Sequence, residues 1–299
     1  MIYTITLNPA FDVHGYIKEL KIDSENYIDL ISKDTGGKGV NISAALDSAN
    51  VKNTALIILG NENAAEFKSL LKLNRTIFIE TKGRIRENLT IHTDKKETRI
   101  SYKGFKISDN IYDKIFNTIS IRENDIVTFT GSIPDGITKK ATIDFILKVK
   151  GLGAKLIIDS KSLLMDDLYL IKPWLIKPNE EEISAYFDTN VDNTSKAMEY
   201  ALKIREKGIE NVIISLGAKG AVMSSESGEF LLTPPRIKPV STIGAGDSMI
   251  AGFIFGVVKG YSKKDSFKYG VAFGTAACLT EGTNPPSSEQ IQDIYSKIK

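Results

Sequence analysis

One stretch of the sequence places a carboxylate and a glycine-rich turn at the start of an apolar helix. The segment 240–252 contains Gly244 and Gly246 beside Asp247, and the apolar run that follows predicts a helix over 248–258. Glycines let a backbone approach a ligand closely, and the first amides of a helix have no partner within it, so they can bind anionic oxygen. A carboxylate beside such donors fits phosphoryl transfer to a hydroxyl, with Asp247 as the base. The alternative is an aspartate that only caps the helix.

A second glycine-rich segment, 35–46, also precedes a helix of small residues. It contains three glycines and a lysine, but it lacks the spacing of a P-loop. Lys38 can place a positive charge on a phosphate, and Asn41 can both donate hydrogen bonds to hydroxyls and accept them. The segment therefore predicts a second binding loop. The alternative is a flexible loop that caps a helix.

Strands and helices that alternate along the chain must position these loops. Apolar runs of strand length occur at 54–60, 125–131, 155–159, 174–179 and 211–217, with helices predicted between them. Such alternation predicts a mainly parallel sheet with helices on both faces, and ligands of such sheets bind at the carboxyl ends of the strands. We expect the polar residues that follow strand ends to share one crevice: Asp12, Ser132, Asn179 and Ser215.

One region departs from this pattern. Polar and apolar residues alternate at 84–92 and 98–102, on either side of a turn at 94–96. This alternation predicts a hairpin with one solvated face. Arg86 and Asn88 are two residues apart, so they share a face of the strand and can reach one ligand together. The alternative is an edge strand whose positive charges only keep it soluble.

The N-terminal segment supplies a further candidate. A short strand is predicted over 1–7, and Asp12 follows in the next turn, where its carboxylate can accept sugar hydroxyls. The alternative is an aspartate that only forms the turn. We expect His14 and His92 to be surface residues of strands and not catalytic groups.

Composition excludes several classes of protein. Lys and Arg total 39 against 37 Asp and Glu, and this balance does not predict a nucleic-acid partner. The sequence shows no signal peptide and no apolar run that could span a bilayer, so no membrane partner is expected. Its single cysteine, Cys278, excludes an internal disulfide and fits a reducing, cytoplasmic location.

Together these motifs resemble those of the ribokinase-like, or PfkB, family of sugar kinases. The segment 36–41 resembles the N-terminal signature of that family, and 241–247 resembles its C-terminal one. The resemblance covers essentially the whole chain. It implies an α/β fold, a three-layer α/β/α sandwich with a small β-sheet lid. We therefore expect one domain over 1–299, with the lid built from about 12–33 and 84–104.

Within the family, the chain resembles the branch that phosphorylates sugar phosphates. This likeness is carried by 6–10, Asp12, Lys38, Arg86, Asn88, 131–136, 176–179 and 215–220. It implies ATP-dependent phosphorylation of a ketohexose phosphate, with fructose 1-phosphate converted to fructose 1,6-bisphosphate as the expected reaction. Tagatose 6-phosphate and fructose 6-phosphate are alternative substrates. A kinase of uncharged sugars and a non-catalytic sugar-phosphate sensor are the competing functions.

The resemblance also implies roles for individual residues. Asp247 is expected to be the base, and the amides of Gly244, Ala245 and Gly246 are expected to form an anion hole. The expected contacts of the phosphosugar are Asp12, Gly37, Lys38, Asn41, Arg86, Asn88 and Ser132, with Lys38 and Arg86 near its phosphate. The expected lining of the ATP site is Lys177, Asn179, Ser215, Gly217, Gly220 and Thr242. Glu182, with Asn179, is expected to hold Mg²⁺ through water.

Two further expectations follow from the resemblance. Lids in this family often pair between chains, so we expect a homodimer through the β lid. Many members carry Asp-Thr-Ser-Gly where this chain has Asp-Ser-Lys-Ser at 159–162. The lost glycine is expected to alter the local loop without removing a catalytic group.

Overall fold

The computed structural model describes residues 1–94 and 96–299. Its strands are β1 (Ile2–Thr6), β2 (Ala10–Tyr16), β3 (Asp29–Gly36), β4 (Thr54–Gly60), β5 (Thr76–Thr81), β6 (Arg86–His92), β7 (Glu97–Ser101), β8 (Ile126–Thr130), β9 (Lys155–Asp159), β10 (Leu175–Ile176), β11 (Asn211–Ser215), β12 (Ala221–Ser225) and β13 (Gly228–Leu232). Its α-helices are α1 (Lys38–Ser48), α2 (Ala64–Leu70), α3 (Ile111–Thr118), α4 (Lys139–Gly151), α5 (Met165–Ile171), α6 (Glu180–Tyr186), α7 (Thr194–Glu206), α8 (Ala245–Val258), α9 (Lys263–Ala277) and α10 (Ser288–Lys297).

The larger sheet has the strand order β13-β12-β11-β10-β9-β8-β1-β4-β5. Strands from β5 to β11 in this order pair in parallel, while β12 and β13 add antiparallel pairs at one edge. Every residue of β1, β4 and β8 is buried, as expected for parallel strands that are covered on both faces. The carboxyl ends of the parallel strands therefore open on one edge, where ligands of such sheets bind.

Helices cover both faces of this sheet. One core cluster joins it to α3, α4 and α7, and the other joins it to α8, α9 and α10. Helix α8 approaches α9 closely, because a Cβ at Gly252 would lie 2.4 Å from the carbonyl oxygen of Tyr269. This packing fixes the direction of α8 and hence of its first turn. The prediction of an α/β fold with a large sheet and a second, smaller sheet is confirmed.

The smaller sheet has the order β3-β2-β6-β7. Strand β2 pairs in parallel with β6, and the two outer strands run antiparallel to their neighbours. This pairing sets Asp12 directly opposite Asn88. All residues of β7 are exposed, and β3 exposes its first three residues.

Several predicted boundaries differ from the structure. The predicted helix over 248–258 begins earlier, at Ala245, and Gly244 is its N-cap. Asp12 lies within β2 and not in a turn, because the chain enters the second sheet directly after Pro9. The predicted strand 174–179 is confined to Leu175–Ile176. Residue 95 of the predicted turn at 94–96 lies outside the described residues.

Some elements were not predicted: β5, β13 and α5. Strand β5 is half-buried at the edge of the sheet, so it lacks the continuous apolar run of its neighbours. None of the helices formed by residues 1–94 and 96–299 has the length and hydropathy that a bilayer span requires.

Candidate active site

Asp247 lies in the first turn of α8, at the edge where the parallel strands end. The helix begins after Gly244, whose φ of 76° falls in the left-handed region that favours glycine. The side chain of Asp247 is buried, with 6% of its surface exposed. Nδ2 of Asn41, from α1, donates a hydrogen bond to Oδ2 of Asp247 at 2.8 Å. The carboxylate thus contacts another helix, which disfavours a role limited to capping α8.

The surroundings of Asp247 make it a stronger base than a free aspartate. Burial raises its pKa to about 6; Lys38 opposes this rise and Asp159 adds to it. The hydrogen bond from Asn41 and the charge of Lys177 also act to lower the pKa. At neutral pH the carboxylate is therefore mostly ionised, yet close enough to its pKa to accept a proton readily.

Asp159, the last residue of β9, is the centre of a buried group of charges. Nζ of Lys38 lies 2.9 Å from its Oδ1, and Nζ of Lys177 lies 3.9 Å from its Oδ2. Burial opposes the ionised form of Asp159, but Lys177 and Lys38 outweigh it and lower its pKa. Burial also opposes the charge of Lys38, while Asp159 and Asp247 prevail and raise its pKa. The group therefore holds fixed opposite charges beside Asp247.

Asp159 was not among the predicted site residues. The available signal was its position, since it is an aspartate that ends a buried parallel strand. Lys177 also approaches the anion hole directly, because a Cβ at Gly246 would lie 2.9 Å from its Nζ. A side chain at position 246 would require this amine to shift.

Asn179 and Glu182 face each other at the start of α6. Oδ1 of Asn179 accepts a hydrogen bond from the amide of Glu182 at 2.8 Å, and Oε2 of Glu182 accepts one from the amide of Asn179 at 3.0 Å. Oε1 of Glu182 lies 3.8 Å from Nζ of Lys161. A β-bridge between Asn179 and Ser215 ties this point to the end of β11. Asn179 and Ser215, both predicted to line the ATP site, are therefore brought together.

The surroundings of Asp159 and Glu182 fit a hydrated cation. Oδ2 of Asp159 is buried and has no hydrogen-bond partner among the described residues. A cavity of about 10 Å³, enough for one water molecule, is lined in part by Asp159, Ser160, Glu182 and Tyr186. Mg²⁺ prefers oxygen ligands and keeps several of its waters. The described part of the chain holds no cluster of three or more His, Cys, Asp or Glu side chains that could ligate a metal.

The remaining predicted nucleotide residues lie in adjacent loops. Gly217 and Gly220 flank a 3₁₀ turn after β11, with φ of 56° and 108° respectively. Thr242 is exposed in the loop before α8, and its carbonyl oxygen accepts a hydrogen bond from the amide of Ala245 at 3.4 Å. Within the described residues, no hydrogen bond joins Thr242 to Gly217 or Gly220.

The second sheet brings another carboxylate to the site. Nδ2 of Asn88 donates a hydrogen bond to Oδ1 of Asp12 at 2.8 Å, and Nη2 of Arg99 lies 3.6 Å from the same oxygen. Both Asp12 and Asn88 are buried. Oδ1 of Asn88 is a buried acceptor without a partner among the described residues. The contact of Arg99 with Asp12 was not predicted from the sequence.

Asn8 joins the second sheet to the larger one, although it was not among the predicted site residues. Its Nδ2 donates a hydrogen bond to Oγ of Ser132 at 3.0 Å, and its carbonyl oxygen accepts one from Nη2 of Arg86 at 3.4 Å. Oδ1 of Asn8 and Nε of Arg86 are buried and have no partner within the described part of the chain. Unpaired buried polar atoms are rare in proteins, so these two mark a place where a polar ligand fits. The signal in the sequence was Asn-Pro directly after a strand.

The two histidines contact each other, contrary to the expectation of separate surface residues. Nδ1 of His14 and Nε2 of His92 are 3.0 Å apart, and the rings stack with their centroids separated by 5.3 Å. His14 is buried and His92 is half-buried. The cause is the parallel pairing of β2 with β6, which period-two reasoning within one strand does not reveal.

Comparisons with known proteins all point to one family of kinases. The family described as pfkB family carbohydrate kinase matches residues 10–290. The chain is 31% identical to the 1-phosphofructokinase of Bacillus subtilis over 100% of this chain and 99% of that protein. It is 34% identical to the 1-phosphofructokinase of Borreliella burgdorferi over 93% and 92% of the respective chains. The structure of phosphofructokinase-2 from Escherichia coli in complex with potassium is similar, with a TM-score of 0.90, 26% identity and coverage of 99% and 98%.

Proposed function

We propose a reaction for this site on one premise: the chain belongs to the pfkB family of carbohydrate kinases. The reaction is transfer of the γ-phosphoryl group of ATP to the 6-hydroxyl of fructose 1-phosphate, which gives fructose 1,6-bisphosphate and ADP. The observation that carries the proposal is Asp247, a buried carboxylate at the start of α8 that is held by Asn41 and has a raised pKa. The relatives named 1-phosphofructokinase support the choice of substrate.

Asp247 acts as the general base in this proposal. Its carboxylate takes the proton of the sugar hydroxyl as that oxygen bonds to the γ-phosphorus. The bond from the γ-phosphorus to the oxygen shared with the β-phosphate breaks, and its electrons leave with ADP. The unpaired amides of Gly244, Ala245 and Gly246 at the start of α8 stabilise the charge on the transferred group. Lys38 and Lys177 add positive charge beside it.

The nucleotide lies along the ends of β9, β10 and β11. Its proposed contacts are Lys177, Asn179, Ser215, Gly217, Gly220 and Thr242. Mg²⁺ is held through water by Glu182, and when bound it offsets negative charge on the phosphates. The carboxylates of Asp159 and Glu182, which both line one small cavity, support this position.

The phosphosugar lies between the two sheets. Asp12 and Asn88 accept hydrogen bonds from its hydroxyls, and Gly37 and Asn41 approach it from the start of α1. Arg86, Lys38 and Ser132 hold its phosphate. The unpaired Nε of Arg86 and Oδ1 of Asn88 support these contacts. The smaller sheet then acts as a lid over 12–33 and 84–104, which would keep water from the γ-phosphate.

The structure of a similar protein supports a second candidate substrate. Phosphofructokinase-2 from Escherichia coli, which is similar in fold, has been solved in complex with fructose 6-phosphate. Fructose 6-phosphate and tagatose 6-phosphate resemble fructose 1-phosphate in size and charge. The discriminating experiment compares kcat/KM for these three sugar phosphates and for free fructose. We expect fructose 1-phosphate to be preferred about tenfold or more over the other phosphates, a difference within the range that pocket contacts supply. A preference for free fructose would contradict a site that binds the sugar phosphate through Arg86.

The exposed apolar side chains of the smaller sheet support a homodimer through the lid. Leu30 and Ile31 are 67% and 59% exposed, and Ile100 and Tyr102 are exposed in the hairpin. A relative, phosphofructokinase-2 of Escherichia coli, has a tetrameric inhibited form. We expect the wild type to sediment as a dimer and Ile31→Lys to sediment as a monomer. Leu170→Lys, at an equally exposed position of α5, is the control, and its dissociation to monomers would contradict the proposed interface. The free Cys278 supports a cytoplasmic location.

A further inference from the structure

Charged side chains of both signs run along the carboxyl edge of the larger sheet. The row starts at Asp247, continues through Lys38 and Asp159, and reaches Glu182 on α6. It ends at Lys161, whose Nζ lies 3.8 Å from Oε1 of Glu182. The inner members are assigned roles by the proposed reaction, whereas Lys161 is not.

Lys161 is exposed, yet its backbone is held in place. Its side chain is 71% exposed, whereas that of Glu182 is only 13% exposed. On one side, Oγ of Ser160 donates a hydrogen bond to the carbonyl oxygen of Gly131 at 2.6 Å. On the other side, Oγ of Ser162 accepts one from the amide of Ile133 at 3.2 Å. The loop therefore presents the lysine beside Glu182 from a fixed base, while the amine itself stays free to move.

The pair between Lys161 and Glu182 contributes little to folding. An ion pair with one partner this exposed stabilises a protein by about 0–1 kcal/mol. Glu182 is largely buried, and its carboxylate faces the same edge as the carboxylate of Asp159. Two carboxylates at the place where phosphates bind repel a polyphosphate, unless a cation lies between them. Lys38 and Lys177 pair with Asp159, and Lys161 pairs with Glu182.

We propose that Lys161 is a positioning residue for the polyphosphate of the nucleotide, which shields the ligand from the carboxylate of Glu182 when no metal is bound. The inference rests on the proposed kinase reaction and deepens it, because it concerns how that site accepts its nucleotide. A divalent cation bound through Glu182 supplies the same shielding when it is present. Lys161 therefore lowers the dependence of nucleotide binding on the metal.

The test compares two dissociation constants of ADP, measured by titration calorimetry on the full chain, with excess EDTA and with saturating Mg²⁺. We expect Lys161→Ser to weaken metal-free ADP binding about fivefold, the effect of losing one exposed charge contact. Binding of ADP with Mg²⁺ should weaken less than twofold. Lys161→Arg, which keeps the charge, should restore most of the metal-free affinity. Lys203→Ser, which removes an exposed lysine paired with Glu199 on α7, should change neither constant.

The outcomes separate the inference from the reaction on which it rests. Equal weakening with and without Mg²⁺, or no weakening in either condition, overturns the role of Lys161 and leaves the kinase reaction intact. Failure of the wild type to bind ADP in both conditions overturns the proposed reaction and the inference together. Because Lys161 is exposed, the substitution leaves the fold unchanged, and a matching thermal melting curve verifies this.

Discussion

The two sheets of this protein are built on different principles. The larger one is parallel over most of its width, and every residue of β4 and β8 is buried. The smaller one mixes parallel and antiparallel pairs, exposes all of β7, and buries polar residues such as Asp12 and Asn88. Helix α8, which packs on the larger sheet, carries the proposed base, and the ends of the parallel strands carry proposed nucleotide contacts. The smaller sheet supplies Asp12, Arg86 and Asn88 among the proposed sugar contacts.

This difference separates residues that maintain the fold from residues that face a ligand or a partner. Buried apolar side chains of the larger sheet stabilise the fold through their packing. Exposed apolar side chains of the smaller sheet contribute little to the stability of one chain. Their exposure indicates that the surface of a partner covers them. Substitutions in each of the two sheets test this difference.

The largest expected effect on stability lies in the larger sheet. Leu56→Ala removes a fully buried side chain of β4, so we expect the free energy of unfolding to fall by about 2–5 kcal/mol. Ile100→Ala in β7 is the matched change in the smaller sheet, and it should cost less than about 0.5 kcal/mol. Denaturant unfolding measures both values in the background of Ile31→Lys, which we expect to be monomeric. Equal losses at the two positions would remove the distinction between the sheets.

The same distinction explains which elements the sequence predicts. Strands β4 and β9 were predicted with their observed bounds, because burial on both faces produces a continuous apolar run. Strand β5 and helix α5 were not predicted, because half-buried edge elements carry a weaker pattern. Strand β2 was not predicted, because its polar Asp12 and His14 are buried by pairing with β6, a contact distant in sequence.

Candidate site residues could be predicted from the sequence where they belong to short local motifs. The turn at 244–247 occupies consecutive positions, so its glycines and its aspartate indicate it directly. Asn179 and Glu182 are three positions apart and were identified through the family resemblance. The contacts of Asn8 with Arg86 and of Asp159 with Lys38 join residues far apart in the chain. Periodicity carries no information on such contacts, and only the folded chain brings them together.

The next effect concerns the cations of the smaller sheet. Arg86→Ala removes the half-buried guanidinium that contacts Asn8, and we expect kcat/KM for the sugar phosphate to fall about 10–100-fold, the effect of losing a charged hydrogen bond. The KM for ATP should change little. Arg84→Ala is the control, because its side chain is 60% exposed and pairs only loosely with Glu87. A similar loss in both variants would indicate a general charge effect and not a specific contact.

A smaller effect is expected on the stability of the folded protein when Asp247 is replaced. The pKa of Asp247 is raised from 3.8 to about 6, so its ionised form destabilises the folded state. The stability of the wild type relative to Asp247→Asn should therefore fall as the pH rises from about 4 to 6, and stay level above 7. We expect the variant to be more stable by on the order of 1–2 kcal/mol at pH 8, measured by denaturant unfolding. A lower stability of the variant at pH 8 would contradict the raised pKa.

Turnover of the Asp247→Asn variant tests most directly the proposed role of Asp247 as the general base. With saturating ATP, Mg²⁺ and fructose 1-phosphate, we expect kcat to fall about 10²–10⁴-fold, because the amide cannot accept the proton of the hydroxyl. The dissociation constant of ADP with Mg²⁺ should stay within about threefold of the wild-type value. Turnover within threefold of the wild type would show that another group accepts the proton and would contradict the account.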